Sequence, residues 1–435
     1  MMTKITFIGA GSTIFAKNVL GDILVTDALR DSEIALFDID PIRLSESEKV
    51  INNINNNSND GRATITSYLN RKEALKGAKY VVNAIQVGGF KPSTVIDFEI
   101  PKKYGLRQSI ADTIGIGGLF RALRTIPVMF DFAKDMEEVC PGALLLNYTN
   151  PMASITGAML KGTQIKTVGL CHSVQDCAVD LLKDLEIETS NLNWKIAGIN
   201  HMAWLLEITD KGEDLYPLIK EKALYKNSKE KHHDMVRYEM MDRFGYYVTE
   251  SSEHNAEYLP YFIKTTHPEL IEKYNIPLDE YPRRCVEQIE KWKTLGKELV
   301  ENKNIEHKRT LEYASYIIEA METDVPYKIN GSVLNDNIIT NLPNNCVVEV
   351  TCLVDKNGIT PTIVGDLPEQ LAALNRTNIN TQLMTIEAAL TQKREAIYQA
   401  AYLDPHTSSE LSLDEIKNLC DDLIEAHGDM LPKYE

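Results

Sequence analysis

The chain has 435 residues, of which 43% are hydrophobic and 25% charged, and its formal net charge is −17. Such an acidic surface repels phosphate backbones, so the composition excludes nucleic acid as a partner. No apolar run reaches the roughly 18–20 residues of a membrane span, and the N-terminus lacks a signal-peptide pattern, which predicts a cytoplasmic protein with no membrane partner. Seven scattered cysteines without a CxxC pair predict free thiols rather than disulfides.

The N-terminal segment has the pattern of a dinucleotide-binding β–α–β unit. A short apolar strand, KITFI, runs into Gly9-Ala-Gly11-Ser12-Thr13, and a second strand, EIALF, ends at Asp38. Glycines let the backbone approach a pyrophosphate, the helix N-terminus holds its charge, and the acid binds a ribose diol. An acid at this position favours NAD over NADP. The alternative is a glycine turn without a ligand.

Two further apolar runs end in amide or small residues, at YVVNAIQVGG (80–89) and LLLNYTNP (144–151). Such strand ends suit a dinucleotide that lies across the edge of a parallel sheet. Between the two runs, Asp112 precedes a glycine-rich stretch and an amphipathic helix, which predicts a hinge, a substrate loop or a plain helix entry. The candidate cofactor contacts are Gly9, Gly11, Ser12, Thr13, Asp38 and Asn83.

Residues 165–202 are the predicted centre of the chemistry. The apolar runs KTVGL and KIAGI end in Cys171-His172 and Asn200-His201, and a helical pattern lies between them. A β–α–β unit would bring both strand ends to one edge of a parallel sheet. A thiolate and an imidazole there could hold a catalytic divalent metal. The alternative, commoner for these residue types, is a buried inert cysteine and a strand-end histidine.

The second half of the chain has a different texture, with long charged helical patterns over 214–330 and 371–403. An Asn-Gly turn within 344–361 predicts a hairpin, so this half is mixed. We therefore predict an α/β protein with a Rossmann NAD-binding domain at 1–195. A second, mixed α+β domain at 196–435 would carry substrate, metal and oligomer contacts.

Several ordered motifs together resemble one family. They are FIGAGST, ALFDIDPIRL, GLFRALRTIP, NYTNPMA, GLCHS, AGINHMAW, GYYVTESSEH and VEVTCLVDKNGI. In this order, along nearly the whole chain, they resemble the NAD- and manganese-dependent glycoside hydrolases of family four, and within it the bacterial α-galactosidases. The resemblance implies a lactate/malate-dehydrogenase-like Rossmann domain, NAD and Mn²⁺ as cofactors, a small-molecule glycoside as substrate, and a homodimer or homotetramer.

The resemblance also implies roles for individual residues. Cys171 and His201 would hold the metal, and Asn150 and Asp112 would contact the substrate. His172 stands where members acting on phosphorylated sugars have an aspartate acid, so it is the candidate acid. The candidates for the base that removes the C2 proton are Tyr258, which is slightly favoured, then Glu250, and then His254.

The implied reaction joins a redox cofactor to a hydrolysis. The sugar would be oxidised at C3 with bound NAD, lose its C2 proton beside the metal, eliminate the C1 group, add water and be reduced again. α-Glucosides and galacturonides are alternative substrates within the family. A 2-hydroxy-acid dehydrogenase and a non-catalytic NAD-binding sensor are the alternatives outside it, although neither needs a Cys–His metal site.

Overall fold

The computed structural model describes residues 2–435 and contains a 13-stranded sheet. Its N-terminal part has six strands: β1 (Lys4–Ile8), β2 (Glu33–Phe37), β3 (Thr64–Tyr68), β4 (Tyr80–Asn83), β5 (Leu144–Asn147) and β6 (Lys166–Gly169). They are all parallel and lie in the order β3-β2-β1-β4-β5-β6. This is the doubly wound Rossmann order, which confirms the predicted fold class and places the carboxyl ends of the strands at one edge.

The central parallel strands are largely apolar because both faces of the sheet are covered, whereas the edge strand β3, TITSY, is more polar and has no buried residue. In β1, Ile5 and Phe7 belong to the core on one face and Ile8 to the core on the other. Successive side chains of a strand point to opposite faces, so a doubly covered strand is apolar at most positions. The covering helices are α1 (Thr13–Val25), α2 (Pro41–Ser58), α3 (Arg71–Leu75), α4 (Val95–Lys102), α5 (Gly115–Val139), α6 (Met152–Gly162) and α7 (Ser173–Asp184).

The sheet continues into an antiparallel part. Its strands are β7 (Leu192–Ile199), β8 (Met202–Asp210), β9 (Glu213–Asp214), β10 (Tyr247–Val248), β11 (Tyr327–Leu334), β12 (Val347–Asp355) and β13 (Gly358–Pro361). β12 and β13 form the predicted hairpin, but its two turn residues are Lys356 and Asn357, because Gly358 already pairs with Asp355 as the first residue of β13. Strand β11 joins the two parts through the antiparallel pair Ser332–Gly169, and β12 then pairs with β7.

The prediction that residues 165–202 form a parallel β–α–β unit is wrong. Strands β11 and β12 lie between β6 and β7, and all three pairings along this path are antiparallel, so β7 runs opposite to β6. The two inserted strands come from far along the chain, where the local pattern of 165–202 holds no information about them. The helix predicted between the strands is present as α7.

The remaining helices cover the antiparallel part and return to the Rossmann part. They are α8 (Tyr216–Lys229), α9 (Met235–Phe244), α10 (Ser252–Tyr258), α11 (Glu269–Lys273), α12 (Glu280–Glu301), α13 (Tyr313–Thr323), α14 (Glu369–Thr391), α15 (Arg394–Tyr402), α16 (Pro405–Glu410) and α17 (Leu413–His427). Helix α14 packs so closely on α6 that a Cβ at Gly157 would lie 2.6 Å from Ile386 Cδ1.

One apolar core joins both halves of the chain, since it includes Ile5 of β1 and Trp204 of β8. The sheet runs without interruption across residue 195, so the domain boundary proposed there stays a prediction. Within residues 2–435, no helix is both long enough and apolar enough to cross a membrane.

Candidate active site

Three side chains meet at one place in the fold. One follows β6, one lies in the turn between β7 and β8, and one follows β10. The ligand atoms of Cys171, His201 and Glu250 all lie within 4.8 Å of one another. His201 Nε2 is 3.4 Å from Glu250 Oε2, and the Cys171 thiol donates to the same oxygen at 3.9 Å. The structure thus brings together the two predicted metal ligands and adds Glu250, which the sequence suggested only as a base.

The backbone holds two of these side chains in an uncommon conformation. His201 lies in the tight turn between β7 and β8 with φ 63°, and Glu250 follows β10 with φ 66°. Residues other than glycine rarely adopt this left-handed region, and such conformations cluster at functional sites. Cys171 lies two residues after β6, and its Sγ lies 3.1 Å from Ser173 Oγ at the start of α7.

Burial and neighbouring charges set the protonation of the cluster. Burial, with Glu349 and Glu250 nearby, holds the pKa of the Cys171 thiol well above its usual value. Burial also lowers the pKa of His201, although Glu250 opposes this. Burial raises the pKa of Glu250, but His201 and His254 more than offset it and bring that pKa to about 2. The cluster without a metal is therefore a thiol, a neutral imidazole and a carboxylate.

These donors fit a divalent metal. A sulfur, an imidazole nitrogen and a carboxylate oxygen form a ligand set that transition metals accept, and a metal deprotonates a coordinating thiol. His201 Nδ1 is buried without a hydrogen-bond partner among residues 2–435, and buried polar nitrogens in folded proteins are normally paired. No hydrogen bond from the described residues therefore occupies Nδ1 of the His201 ring.

A buried carboxylic acid lies behind the cluster. Glu349, the third residue of β12, is fully buried, and its Oε1 accepts from Asn200 Nδ2 at 3.2 Å. Burial raises the pKa of Glu349 to about 8, so this group is neutral at physiological pH. The sequence analysis missed it, although an acid inside the apolar run VVEVTCLV was a signal, since unpaired acids are rare in buried strands.

The two predicted substrate residues also lie together. Asn150 Nδ2 donates to Asp112 Oδ2 at 3.2 Å, and His254 Nε2 is 3.5 Å from Asp112 Oδ1. Arg121 Nε donates to the Asn150 carbonyl at 3.2 Å. Sequence reasoning missed Arg121, because the motif GLFRALRTIP was interpreted as a helix and as part of the family resemblance, with no role given to its arginines.

Charges around Asp112 are strongly coupled. Burial raises the pKa of Asp112, but His254 and Arg121 reverse this and hold it well below the usual value. Burial lowers the pKa of His254, whereas Glu250 and Asp112 together raise it to about 9. Asp112 and His254 therefore form an ion pair at neutral pH, and Asp112 is a weak base.

Tyr258 is placed differently from the sequence interpretation. Its side chain is fully buried, and its hydroxyl donates to the Asn200 carbonyl at 3.2 Å. Burial holds its pKa well above the usual value. A phenol that is enclosed and already bonded cannot readily accept a proton from a substrate, so the geometry favours Glu250 over Tyr258.

His172 follows Cys171 in the chain and reaches solvent. Its side chain is 50% exposed, and Nε2 is 2.6 Å from Glu312 Oε2. The ring stacks on Tyr148 with centroids 5.6 Å apart. Burial lowers the pKa of His172, but the Glu312 carboxylate raises it above the usual value overall. Glu312 was not a sequence candidate, because nothing local marks a partner 140 residues away.

The glycine turn after β1 has the form that a dinucleotide requires. Gly9 has φ 86°, and a Cβ there would lie 2.8 Å from the Ala84 carbonyl oxygen. The Gly11 N–H donates to Asp38 Oδ2 at 2.7 Å, which places the predicted acid beside the turn. Ser12 is the N-cap residue of α1 and makes no side-chain capping bond, so its hydroxyl is not committed to the helix end.

Two residues predicted to contact the cofactor direct their side chains into the protein instead. The hydroxyl of Thr13 lies 2.8 Å from Ser47 Oγ, which bridges α1 to α2. Asn83 is fully buried, and its Nδ2 donates to Asn147 Oδ1 at 2.8 Å. Their side chains stabilise the sheet edge, so burial argues against direct contact with a cofactor.

Comparison with known proteins decides the family. The family model described as "Family 4 glycosyl hydrolase" matches residues 4–187, and "Family 4 glycosyl hydrolase C-terminal domain" matches 196–407. The chain belongs to glycosyl hydrolase family 4. It is 67% identical over 434 residues to an α-galactosidase of Bacillus subtilis (strain 168), with 100% of both chains covered.

Solved structures share the whole fold of this family 4 hydrolase. lplD from Bacillus subtilis is 25% identical with a TM-score of 0.86, covering 97% of this chain and 99% of that one. The 6-phospho-β-glucosidase from Thermotoga maritima, solved with manganese, NAD⁺ and glucose-6-phosphate, is 22% identical with a TM-score of 0.81 and 100% coverage of both chains. The Rossmann and antiparallel parts thus occur together in both relatives.

Proposed function

We propose that this family 4 hydrolase cleaves α-galactosides with bound NAD and a bound divalent metal, Mn²⁺. One observation carries the proposal. Cys171, His201 and Glu250 converge within 4.8 Å in a chain that is 67% identical over its full length to an α-galactosidase. The manganese and NAD⁺ named for the Thermotoga maritima structure support the choice of cofactors.

The residues present suit both cofactors. Cys171 and His201 would hold the metal. The turn at Gly9, Gly11 and Ser12 would lie against the pyrophosphate, with the uncommitted Ser12 hydroxyl as a donor, and Asp38 would bind the adenosine ribose. When bound, NAD supplies a reversible hydride acceptor and the metal an electron-withdrawing centre beside the sugar oxygens. Asp112 and Asn150 would orient the sugar next to the cluster.

Glu250 is the group we assign to removal of the C2 proton. It is ionised, 18% of its side chain is exposed, and it lies beside the predicted ligands, where a sugar hydroxyl would bind. A general base must come within hydrogen-bond reach of its proton, and Glu250 meets that condition better than Tyr258. His172 would protonate the leaving oxygen, with Glu312 orienting its ring.

The substrate is tested with nitrophenyl α-galactoside, α-glucoside and α-galacturonide, each with NAD and Mn²⁺ supplied. We expect the galactoside to give the highest kcat/KM. Preference for the glucoside or galacturonide would retain the family chemistry and reject the substrate. No hydrolysis of any glycoside would reject the function. Family membership already argues against the dehydrogenase and sensor alternatives.

Assembly and location belong to the same proposal. Helix α12 exposes Val286, Ile289 and Leu295 at 48%, 47% and 38%, which supports contact with another subunit in a homodimer or homotetramer. A cytoplasmic location is part of the proposal too. Light scattering after size-exclusion chromatography measures the mass of the assembly, and a monomer would reject the oligomer.

Asp38→Asn should weaken NAD binding. Hydrogen bonds to a charged group are worth about 1.5–3 kcal/mol, so we expect the NAD Kd to rise roughly 10- to 100-fold. The KM for the sugar should change little, because the adenosine ribose binds far from the reacting carbons. Titration of the stripped enzyme with NAD measures the Kd.

Asp40→Asn is the matched control for this variant. Asp40 caps α2 by accepting from the Ile42 and Arg43 N–H groups, and asparagine caps equally well. An equal rise in Kd for both variants would show that the effect is one of general charge, and an unchanged Kd for Asp38→Asn would remove the assignment.

A further inference from the structure

A buried carboxyl group, that of Glu257, accepts hydrogen bonds from the backbone just before Asp112. Glu257 of α10 is 3% exposed and accepts from three consecutive backbone N–H groups. They belong to Ser109, to Ile110 at 3.0 Å and to Ala111 at 2.9 Å. Burial raises the pKa of Glu257 to about 7, although the bonds from the three N–H groups oppose this rise. Where the carboxyl group is ionised, these bonds are charge-assisted and among the stronger hydrogen bonds in proteins.

The segment needs this partner. Ser109, Ile110 and Ala111 are all buried, and Ala111 has φ 49°, in the left-handed region. These residues lie outside any helix or strand, so their N–H groups have no ladder partners, and each would lose free energy if left unpaired. The carboxylate of Glu257 satisfies all three at once and so stabilises the turn that presents Asp112.

Helix α10 touches this turn twice. His254 lies one helical turn before Glu257, on the same face of the helix, and its Nε2 is 3.5 Å from Asp112 Oδ1. Asp112 in turn accepts from Asn150 Nδ2 at 3.2 Å. Glu250 precedes the same helix, so α10 links the predicted metal cluster to the predicted substrate residues.

We propose that Glu257 is a positioning residue that fixes Asp112, and through it Asn150, relative to the Cys171–His201–Glu250 cluster. The inference rests on the proposed function, because Asp112 and Asn150 are assigned there to the sugar. Glu257 contacts neither sugar nor cofactor in this assignment. It sets the distance between the group that orients the sugar and the group that removes its proton.

Glu257→Gln tests the inference with little change in shape. The amide presents its own N–H groups to a backbone that already offers three donors, so the turn should loosen. We expect the KM for the galactoside to rise at least about tenfold, which corresponds to the loss of one strong hydrogen bond. The NAD Kd and the manganese activation constant should stay near wild type. Hydrogen–deuterium exchange at residues 109–111 should become faster.

Glu253→Gln is the control, since Glu253 is on the same helix but accepts from Arg284 Nη2 at 3.1 Å instead. We expect wild-type KM and exchange for it. If Glu257→Gln does not fold, Glu257→Asp, whose carboxylate is one methylene shorter, takes its place in both measurements.

Two outcomes would overturn the inference. Unchanged exchange at 109–111 would show that Glu257 does not hold the turn. Faster exchange with an unchanged KM would show that the turn does not position the sugar. Both outcomes can occur while the wild-type enzyme hydrolyses the galactoside normally. Failure of the proposed function is a different result, because the wild-type enzyme would then cleave no glycoside. In that case hydrogen–deuterium exchange alone decides whether Glu257 holds the turn.

Discussion

Cys171→Ser and His201→Ala are each expected to lower kcat/KM on the order of 10³-fold at low manganese, since Lewis-acid stabilisation is worth several kcal/mol. Each change removes one of the two protein ligands assigned to the metal. Serine keeps an oxygen donor, so high manganese should partly restore that variant. The left-handed backbone at 201 adds little to the cost of alanine, because histidine already carries a Cβ there, and thermal unfolding checks that the variant stays folded.

Cys177→Ser is the matched control for the cysteine variant. Cys177 is also buried and lies in α7, close in sequence to Cys171. It is outside the cluster of ligand atoms found among residues 2–435. Its manganese dependence should equal that of wild type. Near-wild-type turnover of both Cys171→Ser and His201→Ala at low manganese would show that the metal assignment is wrong.

Glu250→Gln is expected to lower kcat by about 10²–10⁴-fold, the usual contribution of general base catalysis. Tyr258→Phe should lose only about 1 kcal/mol of stability, because its hydroxyl makes one hydrogen bond to a backbone carbonyl. A C2-deuterated galactoside separates the two. Glu250→Gln should fail to exchange deuterium with solvent while hydride transfer between C3 and NAD continues, and Tyr258→Phe should exchange normally.

Manganese must be saturating in this experiment, since Glu250 also lies beside the predicted ligands. A separate metal titration of Glu250→Gln shows whether saturation is reached. Normal exchange by Glu250→Gln and loss of exchange by Tyr258→Phe would reverse the assignment. Normal exchange by both would direct attention to His254.

The Rossmann part was predictable because its pattern is local. The apolar strands, the glycine turn and Asp38 lie within one β–α–β unit, and the order of six parallel strands follows the rules for doubly wound sheets. The hairpin of β12 and β13 was predictable for the same reason, since a two-residue turn specifies it.

The Cys171–His201 pair was found by an incorrect geometric argument. A parallel crossover was expected, but β11 and β12 separate the two strands. The motifs GLCHS and AGINHMAW carried the prediction through resemblance rather than through sheet geometry. Pairings between distant segments leave no periodicity at either site, so single-sequence patterns do not reveal them.

The hydrogen-bond partners of the site residues could not be predicted from the sequence for a similar reason. Glu312 bonds to His172, which lies 140 residues earlier in the chain. Glu257 bonds to the turn before Asp112, which lies at least 146 residues earlier. Side-chain direction was the other gap. Thr13 and Asn83 occupy expected positions at the sheet edge, yet their side chains point into the protein.

The central claim is that hydrolysis runs through a bound redox cofactor that is regenerated in each turnover. The most direct test removes nicotinamide nucleotide exhaustively, then measures nitrophenol release from nitrophenyl α-galactoside with manganese while NAD is returned in amounts far below the substrate. We predict no release without NAD, many turnovers per NAD added, and no net accumulation of NADH. Full activity without NAD, or one NADH formed for each nitrophenol released, would contradict the claim.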